Sequence, residues 1–132
     1  MSEENVEFAK QYVAAFNAGG LVAVGPMWHP DIEVLDPPTF PDAGRHTGAE
    51  AALKAVEGYL EVGWDGQFHG PEFFDAGDEV LVLWKARAEA PHEGLALEET
   101  FSHLYLFEAG KLRRVRQFIG REEGLEAAGL TE

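Results

Sequence analysis

The strongest constraint on this chain is the order of its hydrophobic patterns: helical spacing comes first, and long strand-like runs joined by very short turns come second. From Glu4 to Ala18 the apolar residues Val6, Phe8, Ala9, Val13, Ala14 and Phe16 recur at separations of three and four, the repeat of an amphipathic helix. Ser2 is placed to cap this helix, Glu3 and Glu4 fall in its first turn, and Asn17-Ala18-Gly19-Gly20 stops it. A short second helix is predicted from Leu21 to Trp28, distorted by Pro26, which has no backbone N–H to donate. Ile32-Glu33-Val34-Leu35-Asp36 predicts a strand, ended by Pro37-Pro38, and Thr39 to Gly48 a loop. Thr47 and Glu50 form a capping box for a third helix from Ala49 to Val62, ended by Gly63-Trp64-Asp65-Gly66.

The second half predicts a meander. Gln67 to Asp75 is a strand weakened by Gly70-Pro71, and Ala76-Gly77-Asp78 turns the chain into a second strand, Glu79 to Ala90. Pro91-His92-Glu93-Gly94 is the next turn, Leu95 to Glu108 the third strand, and Ala109-Gly110 the tight turn into Lys111 to Gly120. A closing helix is predicted from Arg121 to Ala128. Helices followed by an antiparallel sheet mean an α+β domain with helices packed on one sheet face. A strongly curved sheet with helices on its concave side leaves a hollow, the usual place for a small molecule.

At 132 residues the chain is one domain, residues 1–132. With 45% hydrophobic residues it can bury a core. The net charge of −14 disfavours nucleic acid and anionic membrane surfaces as partners. The absence of cysteine rules out disulfides and thiolate metal sites. The acidic start Met1-Ser2-Glu3-Glu4 is unlike a signal peptide, and no apolar run is long enough to span a bilayer, so a cytoplasmic location is expected.

The last hairpin assigns side chains to faces. If Ala109-Gly110 is a two-residue loop, Glu108 pairs with Lys111, and Leu104, Ser102 and Thr100 oppose Val115, Gln117 and Ile119. This apolar face with small neutral polar groups is read as the pocket side. Tyr105, His103 and Phe101 then lie with Arg114, Arg116 and Phe118 on the outer side, where Phe101, Tyr105 and Phe118 make a plausible homodimer surface. A slip of one residue would reverse these assignments.

Five segments carry a family resemblance: Gln11 to Gly19, Trp28 to Val34, Leu35-Asp36-Pro37, Arg45 to Ala51, and Leu106 to Leu112. Together they resemble the SnoaL-like and ketosteroid-isomerase-like branch of the nuclear transport factor 2-like superfamily, over nearly the whole chain. The resemblance implies a cone-shaped α+β fold in which N-terminal helices and a curved sheet enclose one pocket. It leaves the activity open, since that superfamily holds isomerases, cyclases, hydrolases and non-enzymes. It implies that Asp36, before Pro37, sits where ketosteroid isomerases carry a proton-shuttling aspartate, and that Tyr12 matches a tyrosine that donates into an oxyanion hole. A second donor, a protonated aspartic acid in those enzymes, is replaced here by Ser102, a far weaker acid. The places of the aspartate–arginine–aspartate set of limonene-epoxide-hydrolase-like enzymes hold Trp84, Ala86 and Gln117, which cannot activate water.

Burial in an apolar pocket would raise the pKa of Asp36 toward that of a working base. The alternative is a strand-end aspartate that starts the Pro37-Pro38 turn. Tyr12 is an oxyanion donor or a core tyrosine. Ser102 and Gln117 orient a ligand oxygen or satisfy each other. Phe16, Trp28, Trp64, Trp84 and Thr100 complete the expected pocket wall. His29, His46, His69, His92 and His103 lack metal-ligand spacing, so no metal is expected. Lys111, Arg113, Arg114 and Arg116 are expected to pair with Glu98 and Glu99. Two functions fit: a cofactor-independent isomerase or cyclase acting by proton transfer on a hydrophobic carbonyl compound, and a non-catalytic binder of an apolar ligand.

Overall fold

The computed structural model describes residues 2–40, 43–61, 63–90 and 95–130. The predicted turn Pro91 to Gly94, with His92, lies outside the described residues. Helix α1 runs from Ser2 to Val24 with a kink at Gly20, whose φ of 65° only glycine adopts easily. The expected second helix is therefore the tail of α1 beyond this kink, followed by a 3₁₀ turn at Gly25–Met27 with Pro26 in its first turn. Strand β1 spans Trp28–Leu35, β2 Arg45–Thr47, and helix α2 Ala49–Glu61. The meander follows as β3 His69–Ala76, β4 Glu79–Ala90, β5 Leu95–Glu108 and β6 Lys111–Ile119, and helix α3 Arg121–Ala127 closes the chain.

These strands form one six-stranded sheet in the order β2-β1-β6-β5-β4-β3. The sheet is mostly antiparallel, but β1 runs parallel to β6, because α2 and the meander carry the chain across the sheet before β6 returns beside β1. Strand β2 falls in what the sequence presents as loop. Its three residues pair with Glu33, Val34 and Leu35, so Thr47 belongs to a strand, and the carbonyl of Gly48 accepts the N–H of Ala52 at 2.9 Å as α2 begins.

One irregularity decides which side chains face inward. The Ala109-Gly110 turn has φ of 53° and 73° at its two residues, and Glu108 pairs with Lys111 as the two-residue loop requires. Phe107 then pairs with Leu112 but Leu106 pairs with Arg114, so Arg113 is an extra residue in β6. Beyond this bulge His103 opposes Gln117 and Tyr105 opposes Val115. The face assignment of β5 is thus the reverse of that expected, while that of β6 stands.

The core is divided by the sheet. On the concave side α1 and α2 cover Ile32, Val34, Val80, Val82 and Tyr105. On the convex side α3 lies over Leu81, Leu83, Leu104 and Phe118. That contact is close: a Cβ on Gly124 would sit 2.2 Å from the Cβ of Ser102. Among the described residues no helix is long and apolar enough to cross a membrane.

Candidate functional site

Between the helices and the concave face lies a cavity of about 120 Å³. That is room for roughly ten water-sized positions. Helix α1 contributes Tyr12 and Phe16, β1 contributes Trp28, Ile32 and Val34, and α2 contributes Val56, Tyr59 and Leu60. The sheet supplies Trp84 and Ala86 from β4, Phe101, His103 and Tyr105 from β5, and Val115 and Gln117 from β6. Phe40 and residues 64–68 complete the wall. The 64–68 segment is anchored to α1, because Asn17 donates to the Phe68 carbonyl at 3.0 Å and accepts its N–H at 2.7 Å. Trp64 bridges to Ala88 of β4, and its ring meets Phe101 edge-on at 5.8 Å.

The aromatic rings form a continuous lining. Phe68 packs on Trp84 at 4.3 Å and edge-on against Phe16 at 5.3 Å, and Trp84 stacks on Phe101 at 5.3 Å. Their sequence positions give the reason: Phe101, His103 and Tyr105 alternate along β5, and Trp84 and Ala86 along β4, so all five project to one face. No lysine or arginine lines the cavity among the described residues.

Of the expected site residues, Tyr12, Phe16, Trp28, Trp64, Trp84 and Gln117 line this cavity. Tyr12 is buried and accepts a hydrogen bond from Trp28 Nε1 at 3.0 Å. Burial raises its pKa, against the opposing effect of that N–H. Thr100 and Ser102 are not in the wall. Ser102 lies on the opposite face, completely buried beneath α3, and its hydroxyl donates to the Gly120 carbonyl. It cannot reach a ligand here, and the bulge at Arg113 is the reason.

Asp36 stands one layer behind the cavity. Tyr59 donates its phenolic O–H to Asp36 Oδ1, while Oδ2 lies 3.0 Å from His46 Nε2 and accepts the Gly44 N–H at 3.2 Å. Burial alone would raise the pKa of Asp36, but the bonds from Tyr59 and His46, the charge interaction with His46 and the Gly44 N–H outweigh it, so the pKa falls below the ordinary value. The expectation of a raised pKa is therefore corrected: three donors converge on the carboxylate and favour its charged form. Tyr59, by contrast, has its pKa raised by burial and by the anionic Asp36. Gln117 joins this network to the sheet, donating from Nε2 to Tyr59 at 2.9 Å and to the Leu35 carbonyl at 3.2 Å.

Sequence reasoning missed Tyr59, Phe68, Phe101, His103 and Tyr105 as wall residues. His103 Nδ1 lies 3.1 Å from the Tyr105 hydroxyl, and burial lowers its pKa to about 3, although Gln117 beside it acts the other way. A signal for the inward turn of β5 was present: Leu112 and Val115 are three apart, which breaks strand alternation if both face the core. The dimer surface expected from Phe101, Tyr105 and Phe118 does not exist as such, since two of the three line the cavity and Phe118 packs beneath α3. The basic residues of β6 also pair differently. Arg113 reaches Glu33 and Glu108, Arg114 and Arg116 share Glu79, and Glu98 pairs instead with Lys85 and Arg87 of β4.

Solved structures share this architecture. An NTF2-like protein of Burkholderia xenovorans superposes with a TM-score of 0.69 at 25% identity, covering 97% of this chain and 98% of that one. A candidate isomerase of Bacillus subtilis gives 0.70 at 16% identity, covering 98% and 95%. A candidate polyketide cyclase of Xanthomonas campestris gives 0.71 at 15%, covering 96% and 98%. At these identities the likeness is one of fold. No curated protein matches the sequence. Residues 9–115 match the model of the SnoaL-like domain, and the chain belongs to that family.

Proposed function

We propose that this chain binds a small, neutral, largely apolar molecule in the cavity between α1, α2 and the sheet. The observation that carries this reading is the aromatic cavity of about 120 Å³ with no lysine or arginine in its wall among the described residues. Planar rings favour a planar guest, through edge-to-face and offset contacts. The net charge of −14 and Asp36 behind Tyr59 both disfavour an anion. The acidic, cysteine-free chain fits a cytoplasmic binding protein.

The test is a tryptophan-fluorescence titration with 2-naphthol, in the wild type and in Ala86→Phe. Ala86 is 2% exposed and lines the cavity, so phenylalanine there fills it. Saturable binding that weakens at least about tenfold in the folded variant supports the reading. Equal affinity in both proteins places the probe elsewhere and refutes it.

A second reading has its own observation. The Tyr59 phenol stands in the cavity wall with Asp36 and His46 behind it, an arrangement that could move a proton without a cofactor. It fits an isomerase or cyclase of a hydrophobic carbonyl compound, with Asp36 acting through Tyr59 and with Tyr12 near the substrate oxygen. Its test is turnover of a small β,γ-unsaturated ketone. Rates that fall at least about a hundredfold in Tyr59→Phe support it, and rates equal to the uncatalysed reaction in the wild type leave binding alone.

A further inference from the structure

Among the described residues, two buried polar atoms of the cavity wall have no hydrogen-bond partner: Trp84 Nε1 and His103 Nε2. The residues are diagonal neighbours across β4 and β5, with ring centroids 5.1 Å apart and planes at 77°. His103 is only 8% exposed. Leaving a buried polar group unpaired costs about 1–3 kcal/mol, so a pair of them beside an otherwise apolar hollow points to an occupant that satisfies both.

The ring proton of His103 decides what this pair offers. The Tyr105 hydroxyl is buried, and its one hydrogen-bond partner among the described residues is His103 Nδ1. If Nδ1 were the donor, the phenol's own hydrogen would have no acceptor. The phenol therefore donates and Nδ1 accepts. Burial keeps the imidazole neutral, so its single proton is on Nε2. Trp84 Nε1 is a donor in every state.

We infer that Trp84 Nε1–H and His103 Nε2–H together receive one hydrogen-bond acceptor, the carbonyl oxygen of a small apolar ketone or aldehyde, with Tyr105 as the positioning residue that fixes the imidazole tautomer. This rests on the binding reading above and adds to it the group recognised. A hydrocarbon leaves both donors unpaired, and a carboxylate meets no cation.

The experiment compares indane with 1-indanone, which differs by the carbonyl, using calorimetry and NMR on wild type, Trp84→Phe and Tyr105→Phe. The preference for indanone over indane should be at least about tenfold greater in the wild type than in Trp84→Phe, where the ring stays and the donor is lost. The ¹⁵N spectrum of free wild-type protein should show His103 protonated at Nε2, and Tyr105→Phe should populate the other tautomer. Indane binding with no excess preference for indanone overturns the inference while leaving the binding reading intact. An Nδ1–H tautomer in the wild type also overturns it. Failure of both ligands to bind removes the binding reading, and this inference with it.

Discussion

Asp36→Asn separates a structural carboxylate from a strained catalytic one, because the two roles predict opposite signs. Asp36 accepts from Tyr59 on Oδ1, and on Oδ2 it meets His46 at 3.0 Å and the Gly44 N–H at 3.2 Å. Asparagine keeps one acceptor and turns an NH₂ toward donors on the other side. Tyr59 cannot reverse its hydroxyl without losing the bond it accepts from Gln117. Bonds to a charged group are worth about 1.5–3 kcal/mol, so the loss of one with a second weakened should destabilise the fold by about 2–4 kcal/mol at pH 7. For a domain of 132 residues that lowers Tm by about 7–14 °C. The folded-state pKa of Asp36 lies below its ordinary 3.8. Its stabilising contribution is therefore complete above that value and is lost as pH falls through the lower folded value. Urea titrations of both proteins should give the same gap at pH 7.5 and pH 5.5, and a shrinking gap only below about pH 4. An Asp36→Asn protein as stable as the wild type, or more stable, would refute this reasoning. It would instead mark Asp36 as a carboxylate held in an unfavourable site for chemistry.

Other substitutions test other parts of the fold. Gly124→Ala puts a Cβ 2.2 Å from Ser102 Cβ and should destabilise by roughly 2 kcal/mol; adding Ser102→Gly should restore stability in denaturant titrations, and a Gly124→Ala protein of wild-type stability would refute the close contact. Ala109 has a φ of 53°, so Ala109→Asn should stabilise the hairpin by roughly 0.5–1 kcal/mol, read as a higher denaturant midpoint. His103, with its pKa lowered from 6.5 to about 3, should show no NMR titration between pH 5 and 8. The unfolded chain takes up that proton first, so His103 should erode stability as pH falls from about 6.5 toward 3, and His103→Phe should flatten that part of the profile.

The fold was legible because its signals are long and local. The α1 periodicity, the Ala109-Gly110 turn and the runs of β4 and β5 each mark an element without reference to the rest. The short strand β2 was not legible, since Arg45-His46-Thr47 becomes a strand only by pairing with Glu33 to Leu35. The site was legible in part. Tyr12, Trp28, Trp84 and Gln117 do line the wall; the phase of β6 is the signal for Gln117, Tyr12 comes from the family resemblance, and Trp28 opens β1 rather than ending a helix. Ser102 was misplaced and His103 missed for one shared reason, the extra residue Arg113, which shifts the pairing of β5 by one and so exchanges its faces. Tyr59 was beyond local reading. It lies on α2, and its value to the site comes from Asp36 and Gln117, at sequence separations of 23 and 58.

That one-residue shift also determines what chemistry the cavity can present. Had β5 kept the expected phase, Ser102 would face the helices and His103 would lie beneath α3, where Gly124 packs so closely on the small Ser102 that a Cβ added to Gly124 would sit 2.2 Å from the Ser102 Cβ. The bulge instead puts the small Ser102 under α3 and the ring of His103 into the hollow beside Trp84. Meanwhile the nearby carboxylate, Asp36, is held by Tyr59, His46 and Gly44 behind the wall. Apart from Asp65, which is paired with His69, the polar groups left to the cavity wall among the described residues are neutral, and Asp36 stays behind it. A wall of that kind discriminates by where a ligand carries an oxygen rather than by its charge. Moving the bulge, by deleting Arg113, should therefore abolish oxygen-dependent discrimination between indanone and indane even in a chain that still folds.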